Sequence, residues 1–140
     1  MSLCDLDRPR GVVRSVARAT QHIDYSGLRW DKITPSNIDG VLDFSGRLFV
    51  FLEFKTVGAP VAFGQRLLFS NLHRAMARNG VACAVLLAEH VTLDPKSAIG
   101  ASEALVVEIL DGPQWRAPLR SVTVREAVES YLRRIFPQAL

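Results

Sequence analysis

Hydrophobic and polar positions alternate along residues 37–44. Ile38, Leu42 and Phe44 fall on one side of an extended chain, and Asn37, Asp39, Val41 and Asp43 on the other, which predicts a half-buried strand. Ser45-Gly46 is a tight-turn signal. Residues 48–55 follow as a run rich in Phe and Val, apolar on both sides for most of its length. The two segments read as an antiparallel hairpin whose second strand is central in its sheet. After a break at Gly58-Ala59-Pro60, residues 64–79 give the clearest helical pattern. Gln65, Leu68, Phe69, Leu72 and Met76 share one face, Arg66, Arg74 and Arg78 another, and Asn79-Gly80 is a stop signal. Residues 81–88 predict a buried strand, so this helix makes a crossover connection. A loop over 90–102 leads to a strand over 105–110, a turn at Asp111-Gly112 and a short return near Trp115. Residues 122–136 predict the last helix, its apolar face made by Val124, Ala127, Val128, Tyr131, Leu132 and Ile135. Thr123 and Glu126 form a capping box at its start.

Ahead of the hairpin, Val12, Val13, Val16 and Ala17 have helical spacing over residues 11–21, while Arg10, Arg14 and Arg18 recur every four residues on the other side. That is a short amphipathic helix with a basic stripe, either a solvated face or a phosphate-tracking one. Residues 24–34 are broken by Gly27, with Leu28 and Trp30 as expected core contacts. The fold class is α/β, a mixed central sheet flanked by helices.

A chain of 140 residues is close to one domain's worth, so we expect a single core. We expect residues 1–10, polar and holding Pro9, to be loosely ordered and residues 11–140 to form a single domain. With 49% hydrophobic and 22% charged residues, the composition excludes a disordered or coiled-coil chain. The net charge of +3 is compatible with a nucleic-acid partner. Of the 17 basic residues only Lys32, Lys55 and Lys96 are lysines. Cys4 and Cys83 offer neither a disulfide framework nor a metal-binding spacing, which fits a reducing compartment. The longest apolar run, Val81 to Ala88, is far short of a membrane span, and Asp5 and Asp7 stand where a signal peptide would be apolar. These features point to a cytoplasmic protein with no membrane partner.

Charges on a buried strand need a reason. Glu53 and Lys55 share one face of the second strand, because side chains alternate. A turn at Ser45-Gly46 sets Asp39 against a residue near position 52, beside Glu53. Two carboxylates that close repel unless a hard cation lies between them, and Mg²⁺ takes one or two carboxylates together with water and phosphate oxygens. Such an ion activates water and stabilises charge on a phosphodiester, and a neighbouring ammonium shares that task.

The stretch from Ile33 through Asn37-Ile38-Asp39-Gly40, then Phe51-Leu52-Glu53-Phe54-Lys55, then Gly64-Gln65-Arg66 resembles the PD-(D/E)xK nuclease superfamily, in particular its small phage-type and virus-type replication-repair nucleases. The resemblance covers residues 33–70 by motif and the rest by order of elements. It implies a restriction-endonuclease-like core and a Mg²⁺- or Mn²⁺-dependent deoxyribonuclease acting on DNA. In such an enzyme Asp39, Glu53 and the Phe54 backbone carbonyl hold the metal, Lys55 positions the attacking water, and Gln65 points back to the site. The expected phosphate contacts are Arg66, Arg74, Arg14 and Arg18. A homodimer stays open. The sequence also departs from the family pattern. Many members draw a further acid from the N-terminal helix, and residues 11–21 contain none; Asn37 stands where relatives often have a second acid. The alternatives are a catalytically inactive module of the same fold that binds nucleic acid or a protein, and an assembly subunit that docks a partner enzyme.

Overall fold

The computed structural model describes residues 21–138. The chain divides into two compact units that meet between Asn37 and Ile38. In the first unit, residues 11–20 of the expected basic helix lie outside the described residues, and with them Arg14 and Arg18; Gln21 is not helical. The described part has local turns only. Leu28 N–H donates to the Tyr25 carbonyl at 2.9 Å, Ser26 N–H donates to Asp24 Oδ1 at 2.9 Å, and Trp30 and Ile33 form an isolated bridge. Leu28 and Trp30, expected in the core, are exposed. Short loops closed by neighbouring hydrogen bonds give these two side chains no packed layer to enter.

The second unit has the element order β1 (Gly40–Phe44), β2 (Leu48–Thr56), α1 (Phe63–Arg78), β3 (Ala82–His90), β4 (Leu105–Leu110) and α2 (Val124–Ile135). Its four strands form one sheet in the order β1-β2-β3-β4. The β1/β2 and β3/β4 pairs are antiparallel, and β2 and β3 are parallel, joined through α1. This is a mixed α/β sheet with two helices, and β2 is internal, as its two-sided apolar pattern requires. Phe69 of α1 is fully buried against Phe51, Val85 and Leu87 on one face of the sheet, with Leu72 and Met76 packed at the same cluster. Residues of opposite parity, Leu48, Val50, Leu52, Ala84 and Leu86, are buried on the other face. Helix α2 packs along β4 and buries Val124, Ala127, Val128, Tyr131 and Leu132.

The helix ends follow their sequence signals. Helix α1 stops in a Schellman arrangement: Val81 N–H donates to the Met76 carbonyl, Gly80 N–H donates to the Ala77 carbonyl, and Gly80 has the positive φ of 70° that this cap requires. Glu126 N–H donates to the Thr123 hydroxyl at the start of α2. The expected return near Trp115 is a single bridge, between Ile109 and Arg116.

One feature of the hairpin differs from the sequence expectation and moves the site. Gly40 pairs with Leu52 and Phe44 with Leu48, so the loop is Ser45-Gly46-Arg47 rather than a two-residue turn. Ser45 and Gly46 both have positive φ, and Gly46 N–H donates to Asp43 Oδ1 at 2.7 Å, which fixes the reversal. Arg47 is left unpaired in the ladder. That one residue shifts the register so that Asp39 continues onto the same face as Glu53 instead of facing away from it. No helix among the described residues is long and apolar enough to cross a membrane.

Candidate functional site

Strand β1 begins at Gly40, so the β2 ladder runs past its partner. Phe54 N–H, which a longer β1 would have satisfied, donates instead to Asp39 Oδ2 at 2.8 Å. The Asp39 carboxylate is thereby fastened at the open end of the hairpin, across from Glu53. Gln65, in the first turn of α1, donates from Nε2 to Glu53 Oε2 at 3.2 Å. Asp39, Glu53 and Gln65, named from the sequence as members of one site, are brought together.

Lys55 is on the same face, two residues further along β2. The parallel register sets it beside Glu89 of β3, and its Nζ lies 3.2 Å from Glu89 Oε1. Its second contact comes from the turn after β2. Gly58, with φ of 79°, reverses the chain, Ala59 N–H donates to the Thr56 carbonyl, and Lys55 Nζ donates to the Ala59 carbonyl at 2.7 Å. Val57 N–H donates to the His90 carbonyl and ties that turn to β3. The ammonium is thus held from two sides, and both side chains of the ion pair are mostly buried.

Arg66 is placed differently from the sequence expectation of a DNA contact. Its guanidinium forks onto Glu108 of β4, Nη1 to Oε2 at 2.9 Å and Nη2 to Oε1, and it lies 5.3 Å from the centre of the Trp115 ring. The Trp115 indole N–H in turn donates to the Ser70 hydroxyl of the same helix. The pair ties the first turn of α1, the turn that carries Gln65, to the far side of the sheet. Arg66→Ala should therefore lower stability by about 1 kcal/mol, a figure kept small by the partial exposure of both partners. If the chain binds DNA as the sequence expectation has it, the salt dependence of that binding should be unchanged. Thermal melts and a salt titration on the same variant check both halves. Arg74 does not join this cluster. It lies eight residues further along α1, roughly 12 Å along the axis, and bonds Asn71 Oδ1 at 3.3 Å.

Glu89, Glu108 and the Ala59 carbonyl are members of the site that sequence reading passed over. The signal for the two acids was the one that singled out Glu53, a charge within or at the end of an apolar strand. Glu89 lies one residue beyond the strand that the sequence predicts over 81–88, within the longer β3.

The cluster holds four carboxylates, Asp39, Glu53, Glu89 and Glu108, against one ammonium and one guanidinium. Helix α1 opens beside it with no acid in its first turn, so its positive end faces an excess of negative charge. Burial pushes the Glu53 carboxyl above its usual range, and the Asp39 charge pushes it further, while the Gln65 amide and the Asp39 backbone N–H oppose the rise. Glu108 is held below its usual range, first by its hydrogen bonds to Arg66, with help from the charges of Arg66 and Lys55.

Asp39 and Glu53 offer oxygen donors of the kind a hard divalent cation takes. The two repel one another, and a carboxylate engaged by one donor keeps acceptor capacity. Among the described residues no group of three or more His, Cys, Asp or Glu side chains is arranged to hold a metal, so the protein's share would be these two carboxylates and backbone oxygen.

The raised Glu53 carboxyl carries a stability prediction. The folded chain holds this proton more tightly than the unfolded chain does, so Glu53 lowers stability as pH rises through the window that begins at 4.5. In chelator, Glu53→Gln should raise the thermal midpoint at pH 7 by a few degrees, and the gain should shrink toward zero as pH falls to the lower edge of that window. Melts of both proteins across that range check the sign.

Among protein-family models, curated proteins and solved structures, none matches the chain.

Proposed function

We propose that this protein is a divalent-metal-dependent nuclease that hydrolyses phosphodiester bonds in DNA, a cytoplasmic enzyme built on a restriction-endonuclease-like core. The observation that carries this reading is the convergence of Asp39 and Glu53 at the open end of the β1/β2 hairpin, with Lys55 on the same face and Gln65 bonded to Glu53. The antiparallel, parallel, antiparallel order of the sheet, with α1 as the crossover, supports the assignment of the core.

In this reading Asp39, Glu53 and the Phe54 carbonyl hold Mg²⁺ or Mn²⁺. The bound ion would supply an activated water and a counter-charge to the phosphate. Gln65 orients Glu53. Lys55 presents a fixed positive charge where negative charge grows on the phosphate oxygens as the water oxygen bonds to phosphorus and the bridging oxygen leaves. Glu89 and the Ala59 carbonyl keep that charge from swinging into solvent.

The test is incubation of the purified chain with supercoiled, linear and branched DNA in Mg²⁺, in Mn²⁺ and in chelator. Nicking or degradation that needs the metal supports the reading. The ion pair between Lys55 and Glu89 favours the second reading, a catalytically inactive module of the same fold, because it neutralises the charge that catalysis would use. DNA binding without cleavage under any metal condition selects that alternative.

A further inference from the structure

A second cleft lies at the opposite end of the sheet. It is bordered by Leu48, Ala82 and Cys83, at the ends of β2 and β3 remote from Glu53 and Glu89, and has a volume of about 710 Å³. Leu48 and Glu53 are five residues apart on one strand, so the two sites are separated by roughly 16 Å. The volume is that of a small-molecule site.

The cleft has an apolar floor and a basic rim. Leu48, Ala77, Val81 and Leu110 supply apolar surface. Arg74 lines the cleft from α1 and Arg134 from α2, together with His73 and Ser70. Neither arginine forms an ion pair with a carboxylate of the described residues: Arg74 bonds the Asn71 amide oxygen, and Arg134 lies over the Tyr131 ring at 4.9 Å. The one acid of the lining, Asp111, is already neutralised. It receives both Nε and Nη2 of Arg116, at 3.1 and 2.7 Å, together with the Tyr131 hydroxyl at 2.8 Å. Two guanidinium groups from separate helices therefore line the cleft without an ion pair of their own among the described residues; Arg134 feels the Asp111 charge, but that carboxylate is bonded to Arg116 and Tyr131.

We propose that this cleft binds an organic phosphate monoester with an apolar ring as its body, the class that includes aryl phosphates and nucleoside monophosphates. The phosphate carries close to two negative charges at neutral pH and presents three acceptor oxygens, which suits two guanidinium forks better than a single carboxylate would. The body covers the floor. The inference does not depend on the nuclease reading, since it shares none of Asp39, Glu53, Lys55 or Gln65.

The experiment is a calorimetric titration of the full chain, in chelator, with 1-naphthyl phosphate and with dAMP, against inorganic phosphate and 1-naphthol as half-ligands. Trp115, bonded to the cleft residue Ser70, adds a fluorescence readout. Both esters should bind, and each half-ligand should be at least tenfold weaker. Arg74→Gln and Arg134→Gln should each weaken the esters by about tenfold to a hundredfold, the range for a charge-assisted contact. Ala77→Leu, which fills the floor without touching a charge, should weaken the esters and leave inorganic phosphate as it was. Asp39→Asn should bind the esters like the wild type, which keeps this result separate from any failure of the nuclease reading. A 5′-phosphorylated oligonucleotide that competes for the cleft would identify a nucleic-acid end as the source of the phosphate, and free dAMP alone a metabolite. No binding at millimolar ester, or ester affinity unchanged in both arginine variants, overturns the proposal.

Discussion

In the proposed nuclease, Asp39→Asn is expected to abolish DNA cleavage and, together with it, the thermal stabilisation expected of the wild type in Mg²⁺ or Mn²⁺. The substitution is nearly isosteric. The Asn carbonyl can still accept the Phe54 N–H that Asp39 Oδ2 accepts at 2.8 Å, so the open end of the hairpin keeps its cap. What disappears is one of two anionic ligands, and a hard cation bound by so few protein charges cannot spare it. A ligand at a hundred times its Kd stabilises the native state by about 2.7 kcal/mol, or roughly 10 °C for a unit of this size. The wild type should show a shift of that order in saturating metal, and Asp39→Asn should show almost none. In chelator the variant should be at least as stable as the wild type, because the Asp39 charge is among the causes that raise the Glu53 carboxyl. A metal-dependent shift of equal size in both proteins would remove Asp39 from the metal site.

The elements of the second unit were legible because each has a local cause. The apolar run of β2 told of an internal strand, the Asn79-Gly80 pair ended α1, and Thr123 opened α2. The site was legible only where its members are close in sequence. Asp39, Glu53 and Gln65 are linked by a hairpin and one short connection, so alternation alone brings them near one another. Glu89 meets Lys55 through the register of a parallel pair, and Glu108 meets Arg66 across the whole sheet. No local pattern encodes either meeting, since both depend on how far β3 and β4 slide along their neighbours. The hairpin register itself turned on whether Arg47 belongs to the loop or to the strand. The sequence of a turn states that the chain reverses more plainly than how many residues it uses. Arg66 shows the limit of a local pattern: a basic residue on a polar helix stripe does not announce that an acid from another strand lies against it.

Lys55→Ala and Glu89→Gln should separate the charge that acts from the charge that holds it. Removing the ammonium deletes a preorganised counter-charge to the phosphate, which is worth about 10²- to 10³-fold in kcat. Metal binding should persist, because Lys55 is not a ligand and its loss takes a positive charge away from the cation; the metal-dependent thermal shift should match or exceed that of the wild type. Glu89→Gln leaves the ammonium in place but replaces its 3.2 Å ion pair with a weaker neutral contact, so that only the Ala59 carbonyl, at 2.7 Å, still fixes Nζ with full strength. A charge free to sample wrong positions spends less time where the transition state needs it, and kcat should fall by about tenfold while KM for DNA changes little. If instead the ion pair masks Lys55, as in the inactive-module reading, Glu89→Gln should raise cleavage or create it where the wild type shows none. The direction of the change in kcat for this single variant therefore decides between a clamp that aims Lys55 and a clamp that silences it.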